Sequence, residues 1–217
     1  MINLLNEDNF LHIFLNRVGD IVVSNLLFVL CSVPIVTIGP ALTALYQVML
    51  KIAKGDEPRP ARVFFKAFRQ NFRQSLILWL GLLAAALITA ADIYYFHTNT
   101  SGLGRAMFLL SLGVAVLLGL LTLYVFPVTA AFVGSVKDML RDSFAFLFMR
   151  FHYALLIAVL TTFPMIMTYT DLQMLPLSAF FWFFLGFGLI AYLNAKLFYK
   201  LFRPYLEKAE ALAQAEA

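Results

Sequence analysis

From Ile21 to Leu50 the chain carries no charged residue, and this run of apolar sequence is broken in its middle by SVPIVTIGPA. An unbroken helix over 21–52 would be about 48 Å long at 1.5 Å per residue, against a hydrocarbon core of about 30 Å. One simple span therefore fits poorly. Pro34 and Pro40 lack a backbone donor and Gly39 adds freedom, so the segment reads as a helix stop followed by a helix start, with Pro40 near the first position of the second helix. Six helical segments result if Pro34 to Pro40 turns the chain back, and five if it only kinks one long span. The turn is favoured here, in keeping with the overshoot in length.

The rest of the chain carries all the charge but is also strongly apolar. Of 217 residues, 62% are hydrophobic and 13% charged, and the mean hydropathy is +0.86, beyond the range of a globule that folds in water. The expected class is all-α, a polytopic transmembrane bundle with interfacial amphipathic helices, and its first partner is the lipid bilayer. Further spans are predicted at 76–96, 106–131, 153–170 and 177–201, each close to the 20 residues needed to cross. A single membrane domain over 1–217 follows: a broken-helix hairpin at 1–54, a basic amphipathic helix at 55–75, a second hairpin at 76–133, a link at 134–152, a third hairpin at 153–202 and a tail at 203–217. The N-terminus has no early basic region or small-residue cleavage site, so it is expected to stay on the chain.

Charge placement orients the bundle. Of the 16 Lys and Arg residues, all but Arg17 and Arg105 fall in the 51–73 segment, the 134–152 link or the region after residue 195. The positive-inside rule assigns these to one side, the cytoplasm, and the C-terminus with them. Between Lys54 and Ser75 a helical wheel gathers Ala61, Phe64, Phe65, Phe68 and Phe72 on one arc and Arg62, Lys66, Arg69 and Arg73 on its neighbour. That pattern suits an anionic membrane face or a docking partner. It does not suit nucleic acid, which needs aromatic and basic groups shown together to water.

Chemistry-bearing patterns are scarce. His12, His97 and His152 are isolated with no metal-ligand spacing, and Cys31 is the one cysteine. No phosphate-cradling glycine loop, nucleophile elbow or HExxH occurs, so neither catalytic residues nor cofactor is expected and the chain reads as non-enzymatic. Arg17 and Asp20, three apart, read as an interfacial pair or a buried functional one, and Asp92 as a carboxylate snorkelling to the outer surface. Of the polar residues deep in apolar runs (Ser24, Asn25, Ser32, Thr37, Thr89, Thr122, Thr129 and Asn194), Asn25, Thr37 and Asn194 are the candidates to line a polar cavity.

The run NRVGDIVVSNLLFVLCSVPIVTIGPALTALYQVMLKIAKGDE, followed by FFKAFRQNFRQSLILWL, resembles the YesL family of bacterial integral membrane proteins, a domain of unknown function. Asn16, Gly19, Asp20, Pro34, Gly39, Pro40, Tyr46 and Phe68 match the characteristic pattern of that family. The resemblance implies a multi-pass protein of the bacterial cell membrane, and, because members are often encoded beside carbohydrate ABC-transporter genes, an association with sugar uptake. Two functions are then in play. One is a non-enzymatic accessory protein that meets an ABC permease or a sensor kinase. The other is a small transporter or channel whose pore is lined by Asn25, Thr37 and Asn194.

Overall fold

The computed structural model describes residues 4–98, 101–170 and 175–215, with side chains described from residue 13 to residue 207 apart from 99–100, 169 and 171–175. Among the described residues the regular structure is all helical: α1 (Leu4–Cys31), α2 (Ile38–Lys54), α3 (Pro60–His97), α4 (Gly102–Ala131), α5 (Val136–Met149), α6 (Phe151–Thr170), α7 (Leu175–Phe181) and α8 (Phe187–Ala215). Six helical stretches are long and apolar enough to cross a membrane, including separate ones at Ile13–Cys31 and Ile35–Lys54. The proline segment thus turns the chain.

The turn is held by its own polar groups. The Thr37 hydroxyl lies 2.6 Å from the Cys31 carbonyl and 2.7 Å from that of Pro34, so carbonyls left over at the end of α1 share its proton. Pro40 sits in the first turn of α2, where a missing N–H removes no intrahelical bond. At the other end of α2, Gly55 adopts φ 100°, and the Gly55 and Asp56 N–H groups return to Ile52 and Lys51. A residue with a Cβ would be strained there.

The expectation of a surface helix at 55–75 followed by a separate span from residue 76 is corrected: α3 is one helix of 38 residues. Nothing in 60–97 interrupts it, because Pro60 opens the helix at a position that needs no donor and the next proline is Pro127. Along the N-terminal half of α3, α2 runs antiparallel in a register that repeats every four residues. Gln47 accepts from Asn71 at 3.4 Å, the Thr43 and Ser75 hydroxyls meet at 2.8 Å, and the Trp79 indole N–H donates to the Ile35 carbonyl at 2.8 Å. Gly39 lets the two backbones close, since a Cβ there would stand 2.4 Å from Trp79 Cβ and 2.8 Å from the Ser75 carbonyl.

The C-terminal half of α3 pairs with α4 instead, from Trp79 beside Phe126 to His97 beside Phe108, ring centroids 6.1 and 5.8 Å apart. After α4, the Gly134 carbonyl accepts from Gln74 at 3.1 Å, which returns the chain to the level of the last α3 arginine. There α5 begins in a capping box, Ser135 and Asp138 satisfying one another's backbone N–H groups. Helices α6 and α8 complete the bundle. Its aromatic core runs from Tyr46 and Tyr124 through Phe198 to Phe202, Phe132 and Phe146, with neighbouring centroids 5.0 to 6.1 Å apart.

Candidate functional site

The three residues predicted to share a polar cavity are not brought together. Thr37 is spent on the α1–α2 turn. Asn25, fully buried, is spent on α8. Residues Trp182–Gly186 form a π-helical turn between α7 and α8, and a π-turn leaves backbone groups without their i+4 partners. The Asn25 amide bonds to the backbone there: its Nδ2 donates to the Trp182 and Phe183 carbonyls at 3.2 and 2.6 Å, and its Oδ1 accepts the Gly188 N–H at 2.8 Å. A hydrocarbon environment offers no water to do this, so the contact belongs to the fold. Gly188 permits the approach, since a Cβ there would fall 2.9 Å from the Ile21 carbonyl.

Asn194 stands one hydrogen bond behind a cavity, through Thr161. Buried on α8, it donates from Nδ2 to Thr161 Oγ1 at 2.9 Å, while its Oδ1 has no partner among the described residues. The Tyr46 hydroxyl lies beside it without a well-formed hydrogen bond. Tyr46 and Thr161, with Thr122 and Thr162, are the hydroxyl-bearing residues lining a cavity of about 400 Å³ otherwise walled by apolar side chains such as Phe28, Leu42, Phe126, Phe187 and Ile190. An apolar space of this size with a few convergent polar groups has the make-up of a small-molecule site. Tyr46 was legible in the sequence as a family-pattern position; Thr161 and Thr162 carried no signal, because α6 shows no polar periodicity in FHYALLIAVLTTFPMIMTYT.

The other family-pattern positions are structural where their surroundings are described. Pro34 and Pro40 shape the turn, Gly39 sits at the tightest α2–α3 contact, and Phe68 joins an aromatic ladder with Phe64 and Phe72, centroids 6.3 and 5.4 Å away. Asn16 and Gly19 lie on the exposed side of α1, with Asp20 half-buried one residue further. Arg17 and Lys196 line one groove of about 450 Å³ between α1 and α8, walled by Phe14, Ile21 and Leu189.

On α3, Arg62, Lys66, Arg69 and Arg73 are all exposed, with no carboxylate within ion-pair distance among the described residues. Phe65, 49% exposed, shares a shallow groove with Lys66, Arg69 and Gln70. Among the described residues no group of three or more His, Cys, Asp or Glu side chains converges as metal ligands would, and His97 and His152 stand at opposite helix ends, each against one aromatic ring. The side chain of His12 lies outside the described residues.

Six long apolar helical stretches with exposed apolar faces define a multi-pass α-helical membrane protein. Residues 21–93 match a family model described as protein of unknown function, DUF624. Over 134 residues the chain is 31% identical to the uncharacterized protein YesL of Bacillus subtilis (strain 168), an alignment covering 61% of this chain and 63% of that one, so less than two thirds of the relative's length is spanned. The likeness to the YesL family, whose function is unknown, is borne out over these residues. No solved structure matches the chain.

Proposed function

We propose that this protein is a non-enzymatic accessory subunit of the bacterial cell membrane, with its basic end and C-terminus in the cytoplasm, that docks on a larger transport or sensing assembly. The observation that carries the reading is the edge of α3, where four exposed cations with no ion-pair partner among the described residues flank an exposed phenylalanine. Cations on a rigid helix attract an acidic surface, and Phe65 supplies the apolar contact that electrostatics alone lacks. The family likeness points to the partner: an ABC permease or sensor kinase of carbohydrate uptake. Affinity purification of the full chain from native membranes tests this. Recovery of such a permease or kinase is expected; recovery of neither, while purified protein alone moves sugar into liposomes, overturns the order of the two readings.

That second reading, a small transporter, is favoured by the cavity beneath Thr161 and Tyr46. It is disfavoured by the few ionisable groups inside the spans, since coupled carriers keep such groups at mid-membrane.

A further inference from the structure

We infer that α1 and α2 do not cross the bilayer but form a re-entrant hairpin, its apolar tip at Ser32–Thr37 bathed in the acyl chains of the leaflet on the basic side.

The membrane boundary is written on the exposed face of α3. Up to Arg73 the exposed positions are mainly polar, with Arg62, Lys66, Arg69, Gln70 and Arg73 among them; from Ile77 onward they are apolar, including Leu80, Leu87, Ile88 and Tyr94. The next charge after Arg73 is Asp92. The interval is about 29 Å at 1.5 Å per residue, the thickness of one hydrocarbon core. Other elements agree on the lower boundary: Gln74 meets Gly134 just before Lys137, and on α8 the exposed positions turn from apolar to charged at Lys196, which shares its groove with Arg17.

The register with α2 then sets the depth of the tip. Thr43 stands opposite Ser75, and the Ile35 carbonyl receives the Trp79 indole, so α2 enters the core near residue 45 and ends about 15 Å later at helical rise. On α1, the run from Asp20 to Cys31 is about 17 Å long. Both legs are roughly half of the core. Beyond Trp79, α3 continues for about 27 Å to His97, so the turn lies near the middle of α3 in height.

The composition of the tip fits this placement and not a water-facing loop. Val33, Ile35 and Val36 are 76%, 65% and 49% exposed, and no charged residue lies between Asp20 and Lys51. Three neighbouring apolar side chains held open to water would be costly; in lipid they are ordinary. The polar backbone of the bend is tolerated at that depth because Thr37 and Trp79 satisfy the carbonyls of Cys31, Pro34 and Ile35. By the same register, the inner ends of α2, α3 and α8 stand outside the hydrocarbon. Phe64, Met49, Ile52 and Phe202, all but fully buried, form a core on the water side where the hydrophobic effect operates.

The test is single-cysteine labelling of the full chain in sealed cells, in a Cys31→Ser background, with Val33→Cys, Ile35→Cys, Thr98→Cys and Gln70→Cys. An impermeant maleimide is expected to reach Thr98→Cys from outside and Gln70→Cys only after permeabilisation. The two tip cysteines react from neither side, yet react once detergent strips the lipid. A nitroxide on Val33→Cys is expected to show frequent collisions with oxygen and few with a water-soluble nickel chelate. Labelling of either tip site from outside at the rate of Thr98→Cys, or nickel access equal to that site, overturns the inference in favour of two full spans; failure of the tip sites to react in detergent shows them packed against protein and also overturns it.

Discussion

Asn25 accepts the backbone N–H of Gly188 at 2.8 Å across the interface of α1 and α8, and the same amide donates to two carbonyls of the π-turn. Three backbone groups in an apolar interior thus bond to one side chain. Asn25→Leu is therefore expected to cost about 2–4 kcal/mol, from buried groups at about 1–3 kcal/mol each with partial relaxation. Unfolding in mixed detergent micelles measures it. A loss below about 0.5 kcal/mol would mean that the π-turn relaxes to an ordinary helix, with carbonyls repaired along the chain.

Gly39 is the point where α2 and α3 come closest. A methyl placed there meets Trp79 Cβ and the Ser75 carbonyl, neither the flexible end of a side chain. Gly39→Ala is expected to destabilise the chain by about 1–3 kcal/mol through overpacking, and to loosen the Trp79 bond to Ile35. Tryptophan fluorescence reports the second effect, with Trp182 replaced by Phe so that one indole remains. Gly19→Ala, with open space around its Cβ, serves as the control and is expected to be neutral.

Much of this fold was legible because lipid imposes simple rules on sequence. Apolar run lengths predicted the upper parts of α3, α4, α6 and α8, and Pro34 with Pro40 predicted the turn. The continuity of α3 was harder to read, because the switch from charged to apolar at Arg73 and Ile77 reflects a change of solvent and leaves the backbone untouched. The cavity was less legible still. Asn25, Thr37 and Asn194 all read as polar in the sequence, and only the three-dimensional bonding shows that Asn25 and Thr37 serve the backbone while the Asn194 oxygen has no partner among the described residues.

That oxygen gives a prediction of its own. If the Asn194 amide acts only through Thr161, Asn194→Leu removes one hydrogen bond and one unpaired acceptor together. The net cost is then expected to stay below about 2 kcal/mol, in the range of interhelical hydrogen bonds in membranes. A double-mutant cycle with Thr161→Val measures the coupling, expected near 0.6 kcal/mol. A larger loss for Asn194→Leu, absent from the coupling, would point to a third group held in the cavity beside Tyr46.

Replacing Arg62, Lys66, Arg69 and Arg73 by Gln is expected to leave the fold intact, since all four are exposed and none is within ion-pair distance of a carboxylate among the described residues. Recovery of the partner in affinity purification should fall by at least tenfold, and recovery by the unaltered chain should itself weaken as salt rises and the Debye length shortens from about 10 Å at 0.1 M. Unchanged recovery would move the docking surface away from α3.

The start of α5 carries the pH dependence that the structure specifies. The Ser135 hydroxyl and backbone N–H both donate to Asp138, at 2.7 and 2.9 Å, and hold its carboxyl below the ordinary value of 3.8. Because the folded value is the lower one, the unfolded state takes up the proton first. The contribution of this cap is thus fully present above the unfolded value and is lost as pH falls through the depressed folded one. Between pH 7 and 5 the attachment of α5 should not change, and below about pH 4 its first turn should fray. The carboxyl carbon shift of Asp138, followed by NMR, is expected to titrate below the ordinary value of 3.8. Ser135→Ala should raise the Asp138 midpoint toward the ordinary value; a midpoint unmoved by that change would assign the shift to Arg141, 3.9 Å away, and not to the cap.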